Sequence, residues 1–577
     1  MASFEKVTSD ANELVFGTLL DGYRRLTIPL FQRSYKWGTK EYTKFIEDLD
    51  AIVFGDASTR FIGAIVAVER NTGPNVPTEY EVVDGQQRLF TIYLTIAAAA
   101  YVIAKRGDPE DAAILMRRYL FIPDYNSAGG NTKLSTSLDD SAEFAELWKR
   151  LLSLSPLATS VAQSKPKAPP AVYGDKQSGT ILAQFDRLLK WLDSVWKESR
   201  QSGINAYVTA ATSNLSFVWL SLQDPESAPR IFESLNNRGV RTTVGDLVRN
   251  EVFARLRHAP DDARDLYDGA WKDFRESLKG HYEEFFFPYG LIANRNTRKN
   301  ELFAALRSGW EGRTDAAAII SDMQQFVPAF LAVSLGHPPA GTSIEVNKQI
   351  RNFSRLRLPS SVYPFLMQLI KQQASGNADA VETSKMLALV ESFLVRRALC
   401  GYEPTGLHAA FKGLWHDLNG TITADQVEMV LRKRKTVQWP SDDQVKQCVA
   451  ERPLYGSSVA SYALTEYDRS LGGDVPTDVS EIEHVLPQRL SKDWAPLFTT
   501  ELHSKLRHTW ANLIPISPPM NKGLQQGLYE AKRERFMEDS MYKTPRSVAK
   551  AYDVWNTDTL ADRATVLGAF AVDRWSY

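Results

Sequence analysis

Residues 80–88 read Tyr-Glu-Val-Val-Asp-Gly-Gln-Gln-Arg. Apolar residues lead into this stretch, and a long apolar run, Leu89 to Ala104, follows it. This pattern predicts a strand, a tight turn and the start of a helix that is buried on all sides. Gly85 allows the unusual backbone dihedrals or the close backbone approach that such a turn requires.

The polar side chains of this turn are of the kinds that bind phosphate. The exposed N–H groups of a helix start favour an anion, and Arg88 supplies a planar donor fork that suits phosphate oxygens. Asp84 is able to hold a divalent cation or to orient a water molecule. An ordinary polar turn in which Arg88 pairs with Asp84 has the same sequence, and spacing alone does not separate the two readings.

Length, charge and cysteine content bound the class of protein. The chain has 577 residues, too many for one core, and its net charge of −1 restricts any DNA binding to local basic patches. Cys400 and Cys448 are far apart, without Cys or His at zinc spacing, which argues against a disulfide scaffold and fits a reducing cytoplasm. No signal peptide is recognisable, and the apolar run falls short of a membrane span, so we expect a cytoplasmic protein without a membrane partner.

Hydrophobic periodicity predicts the other elements. An amphipathic helix is expected around Glu13 to Leu20, and a buried strand at Phe61 to Val68 is expected to pair with Glu79 to Val83 as a hairpin. Further helices are predicted at Lys40 to Phe54, 108–154 and Ile181 to Glu198, a strand at Ser216 to Leu222, and a loop at 155–179 that is rich in Ser, Pro, Lys and Gly.

Two more N-terminal segments combine polar and apolar residues. In residues 28–37, Gln32, Arg33 and Lys36 alternate with aromatic residues, which is typical of stacking and phosphate contacts to a nucleotide, although a loop anchored by its aromatics looks the same. Residues 232–250 hold Asn236, Arg238 and Gly239 in a turn, followed by Asp246 and Asn250. A helix C-terminus capped by glycine is the plain interpretation of that turn.

Residues 251–450 are predicted to be helical throughout and hold no catalytic cluster. They carry groups of basic residues, each of which is a solvated helix face when taken alone. Together these groups suffice for a surface that follows DNA, but the sequence does not show whether they converge. The groups are Arg295, Arg298 and Lys299; Arg351, Arg355 and Arg357; Arg396 and Arg397; and Arg432 to Lys435.

A second polar constellation opens the C-terminal region at residues 481–488. Glu483 precedes His484 on a predicted strand that Pro487 ends, a pattern familiar from metal-dependent phosphodiester cleavage. In that chemistry the carboxylate binds the metal ion and the imidazole takes a proton from water. A histidine with a purely structural role is the alternative.

The strand of His484 and the residues that follow it predict the order strand, strand, helix. Residues 510–516 predict the returning strand, and the 28 residues between His484 and Asn512 leave room for an inserted helix. Ser517 and Pro518 are typical of a helix cap and first helical position, which places Asn521 in the first turn and Lys532 further along that helix. This is the ββα-metal layout of HNH nucleases.

With these motifs in order, the chain resembles the GmrSD-type family of type IV, modification-dependent restriction enzymes, whose relatives include SspE and BrxU. The resemblance rests on the blocks at residues 28–37, 84–88 and 232–250 and on the C-terminal Glu-His…Asn…Asn…Lys pattern. It implies an α+β ParB/sulfiredoxin-like N-terminal domain, an all-α middle and a C-terminal ββα-metal HNH domain within helices. The corresponding boundaries are 1–255 for a nucleotide-binding NTPase domain, 256–450 for a helical connecting domain and 451–577 for the HNH nuclease domain.

The resemblance also implies roles for individual residues. In the nuclease site, Glu483 and Asn521 would hold Mg²⁺ or Mn²⁺, His484 would be the general base oriented by Asn512, and Lys532 would be catalytic. The nucleotide site would consist of Gln32, Arg33, Asp84, Gly85, Gln86, Gln87, Arg88, Asn236 and Arg238, with Asp84 and Arg88 taking part in hydrolysis. No G-x-x-x-x-G-K-[ST] stretch exists, which excludes a P-loop NTPase.

Two positions depart from the family pattern. Phe31 stands where the family usually has Tyr, which affects a contact with DNA or nucleotide. Glu483 and Asn521 stand where HNH sites often have Asp or His. Their oxygen atoms make a hard site that favours Mg²⁺ or Mn²⁺ over Zn²⁺.

The function that the resemblance implies is a nucleotide-dependent endonuclease or nickase that senses modified phage or foreign DNA and cleaves it. Its partners would be double-stranded, modified DNA and a nucleoside triphosphate (GTP, ATP or UTP). Two alternatives are a nucleotide-dependent DNA-binding regulator with weak or no nuclease activity and an RNA-directed HNH effector. The modification, the preferred nucleotide and the oligomeric state stay open. A homodimer is one way to break both strands, because one HNH site cuts one strand.

Overall fold

The computed structural model divides into two compact units, Met1–His258 and Ala259–Tyr577. The prediction that 256–450 and 451–577 are separate domains stays a prediction. Phe31, the loop 155–179, Asn236, Arg238, Arg357 and Lys435 lie outside the described residues. The structure describes residues 8–21, 24–29, 32–70, 77–122, 131–137, 139–154, 180–222, 243–256, 260–356, 358–402, 406–418, 422–434, 437–473, 481–524 and 527–576.

A mixed five-stranded sheet organises the N-terminal unit, with the strand order β1-β7-β3-β4-β2. The β3–β4 hairpin and the strand β7 are confirmed as predicted, and β7 and β3 run parallel at the centre. A second, two-stranded sheet pairs β5 with β6. The strands are β1 (Thr8–Val15), β2 (Arg24–Thr27), β3 (Arg60–Arg70), β4 (Thr78–Asp84), β5 (Phe121–Ile122), β6 (Asn131–Thr132) and β7 (Leu215–Leu222).

The helix predicted around Glu13 to Leu20 is wrong in its first part. Residues 8–15 form the edge strand β1, and the helix begins only at Phe16. β1 pairs antiparallel with β7, with Val15 opposite Ser216, so a partner two hundred residues away overrides the local helical periodicity. Residues 108–154 are likewise not helical throughout, because β5 and β6 interrupt them.

Helices cover the sheet of the N-terminal unit and supply most of its core. The helix that follows Gly85 is confirmed, and 17 of its 21 residues are buried. It is long and apolar enough to cross a membrane but lies within the hydrophobic core, and the segment Ala316–Leu335, half buried, is the second such stretch among the described residues. The helices are α1 (Phe16–Leu20), α2 (Thr39–Val53), α3 (Gln86–Arg106), α4 (Pro109–Tyr119), α5 (Ser141–Ser153), α6 (Thr180–Thr209) and α7 (Val244–Phe253).

The described residues of the C-terminal unit are helical apart from one strand pair. Between residues 260 and 450 the described chain contains no strand, as predicted, and none follows before residue 473. In chain order the helices are α8 (Pro260–Leu266), α9 (Lys272–Ser277), α10 (Tyr282–Ala293), α11 (Leu302–Gly309), α12 (Ala316–Gln324), α13 (Val327–Leu335), α14 (Ile344–Arg355), α15 (Tyr363–Ala374), α16 (Ala380–Leu399), α17 (Leu407–Phe411), α18 (Leu414–Asp417), α19 (Ala424–Arg432), α20 (Asp442–Glu451) and α21 (Ala460–Ser470).

The last part of the C-terminal unit runs strand, helix, strand, helix. β8 (Glu481–His484) and β9 (Leu513–Ile516) pair antiparallel, with α22 (Thr500–Leu506) between them, so the two strands and the inserted helix are confirmed. The returning strand begins three residues later than predicted, because Trp510–Asn512 form a short 3₁₀ helix. The next helices are α23 (Pro518–Leu524), α24 (Tyr529–Glu538), α25 (Lys543–Ala551) and α26 (Thr557–Arg574). Lys532 therefore lies on α24 and not on the helix that carries Asn521, because the chain turns between the two helices.

Candidate functional site

Asn512 fastens the two strands of the C-terminal site together. The residue is fully buried immediately before β9, and its Nδ2 donates to the carbonyl oxygens of Leu486 and Arg507, both at 2.8 Å. Its Oδ1 accepts from the Leu486 backbone N–H at 2.7 Å and from Trp555 Nε1 at 3.2 Å. All four hydrogen-bonding positions of the amide are used, so the chain two residues after His484 is held in place.

His484 ends β8 in a nearly closed environment, with 4% of its surface exposed. Its Nε2 lies 3.1 Å from His508 Nδ1, its Nδ1 lies 3.3 Å from Gln488 Nε2, and the Tyr455 ring packs edge-on at 4.4 Å between centroids. Burial, and after it the charge of His508, lowers the pKa of His484 to about 3. The imidazole is therefore neutral at pH 7, the form that accepts a proton.

His508 and Tyr455 were not among the residues predicted for this site. His508 lies in the turn between α22 and β9, and the Tyr455 ring stacks on it at 5.4 Å. Burial also lowers the pKa of His508. Its nearness to Asn512 in sequence is the one signal that could have identified it, because residues beside a returning strand end near the partner strand.

Glu483 and Lys532 form a buried ion pair beside His484. Lys532 Nζ donates to Glu483 Oε1 at 2.6 Å and to the carbonyl oxygens of His484 and Val485 at 3.1 Å, and the two charged side chains are only 8% and 1% exposed. Burial raises the pKa of Glu483 while Lys532 opposes that rise, and burial lowers the pKa of Lys532. The ammonium group thus ties α24 to the end of β8.

Asn521 contacts Glu481 rather than the predicted Glu483. Its Nδ2 donates to Glu481 Oε2 at 2.8 Å. Side chains alternate along a strand, so Glu481 and Glu483 share one face of β8. Carboxylate and amide oxygens suit Mg²⁺, but Lys532 already neutralises Glu483. Among the described residues no three His, Cys, Asp or Glu side chains form a metal-binding group.

The turn at the end of β4 in the N-terminal unit requires glycine. Gly85 has a φ of 91°, in the left-handed region, and precedes α3. A Cβ atom there would lie 2.8 Å from Ile65 Cγ1 and 3.1 Å from the Ala64 carbonyl oxygen. The turn is thus held against the neighbouring strand β3 by a contact that no side chain at this position permits.

Arg88 is held by the backbone of β3. Its Nη1 donates to the Ala64 carbonyl oxygen at 2.6 Å, its Nη2 lies 3.8 Å from Asp84 Oδ2, and Gly63 leaves room for the guanidinium group. Burial lowers the pKa of Arg88, and the charge of Asp84 opposes this. The geometry matches the reading in which Arg88 pairs with Asp84, and it gives Arg88 a structural task alongside any contact with a ligand.

The two glutamines of the turn hold the loop that follows Gln32. Gln87 Oε1 accepts from the Lys36 backbone N–H at 2.6 Å, and its Nε2 donates to the Ser34 carbonyl oxygen at 3.3 Å. Gln86 Nε2 donates to the Arg33 carbonyl oxygen at 3.3 Å. The structure therefore brings two of the predicted blocks together through side-chain amides.

Gln32 connects the same turn to the third block. Its Nε2 donates to the Val83 carbonyl oxygen at 2.9 Å, and its Oε1 accepts from Asn250 Nδ2 at 2.5 Å. Asn250 lies on α7, more than two hundred residues along the chain. Asn236 and Arg238, predicted for this site, are outside the described residues.

A mixed group of charges surrounds this junction. Burial lowers the pKa of Arg33, while the charges of Asp246 and Asp84 oppose this. Arg249, which the sequence did not single out, forms ion pairs with Asp246 at 3.2 Å and with Asp139 at 3.4 Å. The position of Arg249 one helical turn after Asp246 is a sequence signal for this pair.

Two family models match the chain. Residues 16–253 match the GmrSD restriction endonuclease N-terminal domain, and residues 439–570 match the GmrSD restriction endonuclease C-terminal domain. The chain belongs to the GmrSD restriction endonuclease family. The two GmrSD matches together cover more than half of the chain and contain both groups of residues described above. No curated protein matches the chain.

Membership of the GmrSD family confirms two of the predictions. The protein is a restriction-type endonuclease, and DNA is its partner. The described chain is mixed α/β and mostly helical, with its main sheet in the part that matches the GmrSD N-terminal domain.

Proposed function

We propose that this GmrSD protein is a nucleotide-dependent endonuclease or nickase that senses modified phage or foreign DNA and hydrolyses a phosphodiester bond at His484. The observation that carries the proposal is the buried His484 imidazole, 3.1 Å from His508 at the end of β8, where Asn512 holds the following chain through Leu486. Water attacks phosphorus as its proton passes to His484, and the phosphorus–oxygen bond to the leaving strand end breaks. The negative phosphate of bound DNA raises the pKa of His484 towards the working range of a general base.

His508 is placed to help regenerate the base. Its Nδ1 lies 3.1 Å from His484 Nε2, so a proton accepted by one imidazole can pass to the other. Asn512 keeps this geometry by holding the chain after His484. The Lys532 ammonium group holds the same strand end through Glu483 and the His484 carbonyl oxygen, which makes Lys532 a positioning residue in this mechanism.

The metal ion of the proposed HNH site would be Mg²⁺ or Mn²⁺, with Asn521 as one ligand. Glu483 was predicted as the carboxylate ligand, and it is available to a metal only if Lys532 leaves it; Glu481, at 2.8 Å from Asn521, is the better placed carboxylate. Bound there, the ion would supply charge stabilisation for the phosphoryl oxygens. Glu481→Ala and Glu483→Gln, compared for the metal concentration that gives half-maximal cleavage, separate the two ligand assignments.

The N-terminal junction is the proposed nucleotide site, for GTP, ATP or UTP. Its support is the convergence of three blocks on one turn, with Arg33 and Arg249 among carboxylates beside the start of α3. Asp84 would orient water or hold the cation of the nucleotide. The N–H groups of Gly85, Gln86 and Gln87 belong to the start of α3, where a phosphate is favoured. Arg33 is the proposed phosphate contact, since Arg88 is engaged with β3.

Cleavage assays with defined substrates test the whole proposal. The protein is incubated with plain DNA, glucosylated hydroxymethylcytosine DNA, phosphorothioate DNA and RNA, each with and without Mg²⁺ and each nucleotide. Cleavage of a modified DNA that requires both metal and nucleotide is the expected result. Binding of DNA without cleavage would identify a regulator, and cleavage of RNA alone would identify an RNA-directed effector.

Coupling between the two activities is the second part of this test. If nucleotide and modified DNA stabilise different states, each must change the affinity for the other by the same factor. Nucleotide turnover by His484→Ala is therefore measured with and without modified DNA. If modified DNA leaves the rate of nucleotide turnover unchanged and nucleotide leaves the rate of DNA cleavage unchanged, the nucleotide-dependent proposal is contradicted even if both activities exist.

A further inference from the structure

A cleft lined by basic side chains lies in the C-terminal unit, away from His484. It has a volume of about 650 Å³ and is bordered by α14, α21 and the end of α26. Its charged lining consists of Lys348, Arg351, Arg355, Arg469, Arg574 and Glu466. Arg351 and Arg355 belong to one of the basic groups predicted in the helical middle, and the fold brings them together with two arginines more than a hundred residues away.

One carboxylate faces three of these cations. Glu466 Oε1 accepts from Arg355 Nη1 at 2.7 Å and from Arg469 Nη1 at 3.2 Å, and its Oε2 accepts from Arg574 Nη2 at 2.8 Å. The buried Glu391 also pairs with Arg574, at 2.9 Å. Five cations against two carboxylates leave a net charge of +3 at the cleft.

Ion pairing within the protein explains only part of this cluster. Basic residues in the last turn of a helix offset the helix dipole, which accounts for Arg355 and Arg574. Lys348 and Arg351 are one turn apart on α14, and both are exposed. Neither forms an ion pair with any residue that the structure describes. These two cations are therefore available to a ligand.

We propose that this cleft binds phosphate groups of the DNA backbone, as a contact surface separate from the site of cleavage. The proposal rests on the proposed function, because the cleft would contact the same DNA molecule that is cleaved at His484. Its ligand chemistry is the phosphodiester anion, which lysine and arginine side chains bind without reading sequence. A free nucleotide offers similar phosphates, and the experiment separates the two sources.

The position of α21 links the cleft to the cleavage site. Tyr455, five residues before α21, packs on His484, whereas Arg469 and the cleft lie at the other end of the same helix. Eleven helical residues span roughly 16 Å. Phosphates follow one another at about 3.4 Å along each strand of a duplex, so this length corresponds to about five nucleotides. The length of α21 is thus within the span of a short duplex that is bound at His484.

The test is the salt dependence of DNA binding by Lys348→Ala/Arg351→Ala. Each lost phosphate contact reduces the slope of log affinity against log salt by about 0.9, so the double variant is expected to have a slope smaller by about 1.8. Lys348→Arg/Arg351→Lys keeps both charges and is expected to keep the wild-type slope. Lys272→Ala/Lys385→Ala is the matched control, because both lysines are exposed on the same unit and each pairs with a carboxylate within its own helix.

Each outcome has one meaning. A double variant with the wild-type slope overturns the cleft proposal while leaving the proposed function intact, provided that the wild type binds and cleaves DNA. A wild-type protein that binds no DNA contradicts both the cleft proposal and the proposed function. A double variant that loses affinity for ATP and GTP but keeps its DNA slope shows that the cleft is a nucleotide site, which also overturns the proposal.

Discussion

Lys532→Met removes the cation from a buried pair and leaves the Glu483 carboxylate in place. In the wild type, Lys532 Nζ is bonded to Glu483 Oε1 at 2.6 Å and to two backbone carbonyl oxygens at 3.1 Å. Methionine fills a similar volume but donates no hydrogen bond. Breaking a buried ion pair from one side costs about 3–5 kcal/mol, because an unmatched charge stays buried. We expect a loss of that size in the free energy of unfolding of the C-terminal unit.

The loss should depend on pH in a defined direction. Burial raises the pKa of Glu483 in the wild type, and Lys532 opposes that rise, so removing Lys532 raises the pKa in the folded state further. A group whose folded pKa is raised contributes stability below its unfolded value, which is about 4.3 for Glu, and loses it as pH rises through the folded value. The deficit of Lys532→Met is therefore smaller at pH 5 than at pH 8.

Urea unfolding followed by tryptophan fluorescence at pH 5 and pH 8 measures this deficit. The double variant Glu483→Met/Lys532→Met buries no charge, and we expect it to recover most of the lost stability. Lys550→Met is the matched control, since Lys550 is exposed in the same unit and its replacement should change stability by about 0.5 kcal/mol or less. A loss under about 1 kcal/mol for Lys532→Met, an equal loss at both pH values, or a double variant no more stable than the single one would contradict a buried Glu483–Lys532 ion pair.

Three further predictions concern single side chains. His484→Ala should reduce DNA cleavage by about 10²–10⁴-fold while nucleotide turnover persists; undiminished cleavage by the purified variant would remove the general base from the mechanism. Arg88→Ala should lower stability by about 1.5–3 kcal/mol through its lost bonds to β3, whereas Arg33→Ala should mainly weaken nucleotide binding; calorimetric titration and thermal melts of both variants give the comparison. Burial raises the pKa of Asp140 to about 7, so its contribution to stability is present below its unfolded pKa of 3.8 and is lost as pH rises through 7. Asp140→Asn should therefore gain on the order of 2–4 kcal/mol relative to the wild type between pH 5 and pH 8, and an unchanged difference in urea unfolding would argue against a buried charge there.

Several parts of this protein follow from the sequence by itself. The strand, turn and helix around Gly85 are confirmed. The sequence was sufficient to predict them because apolar residues flank a position where the turn tolerates only glycine. The strand pair that begins with the strand of His484 and returns just after Asn512, with a helix inserted between, is confirmed for a similar reason. Periodicity, glycine and proline act over a few residues, and such signals are complete within the segment that carries them.

The partners of the functional side chains were decided only by the tertiary structure. Residues 8–15 form a strand because β7 pairs with them, and Arg88 bonds to Ala64 because a glycine in β3 leaves room for it. Lys532 lies against Glu483, and His508 against His484, across loops that carry no spacing signal. Register, helix packing and burial bring these atoms together, and they depend on the whole chain rather than on any one segment.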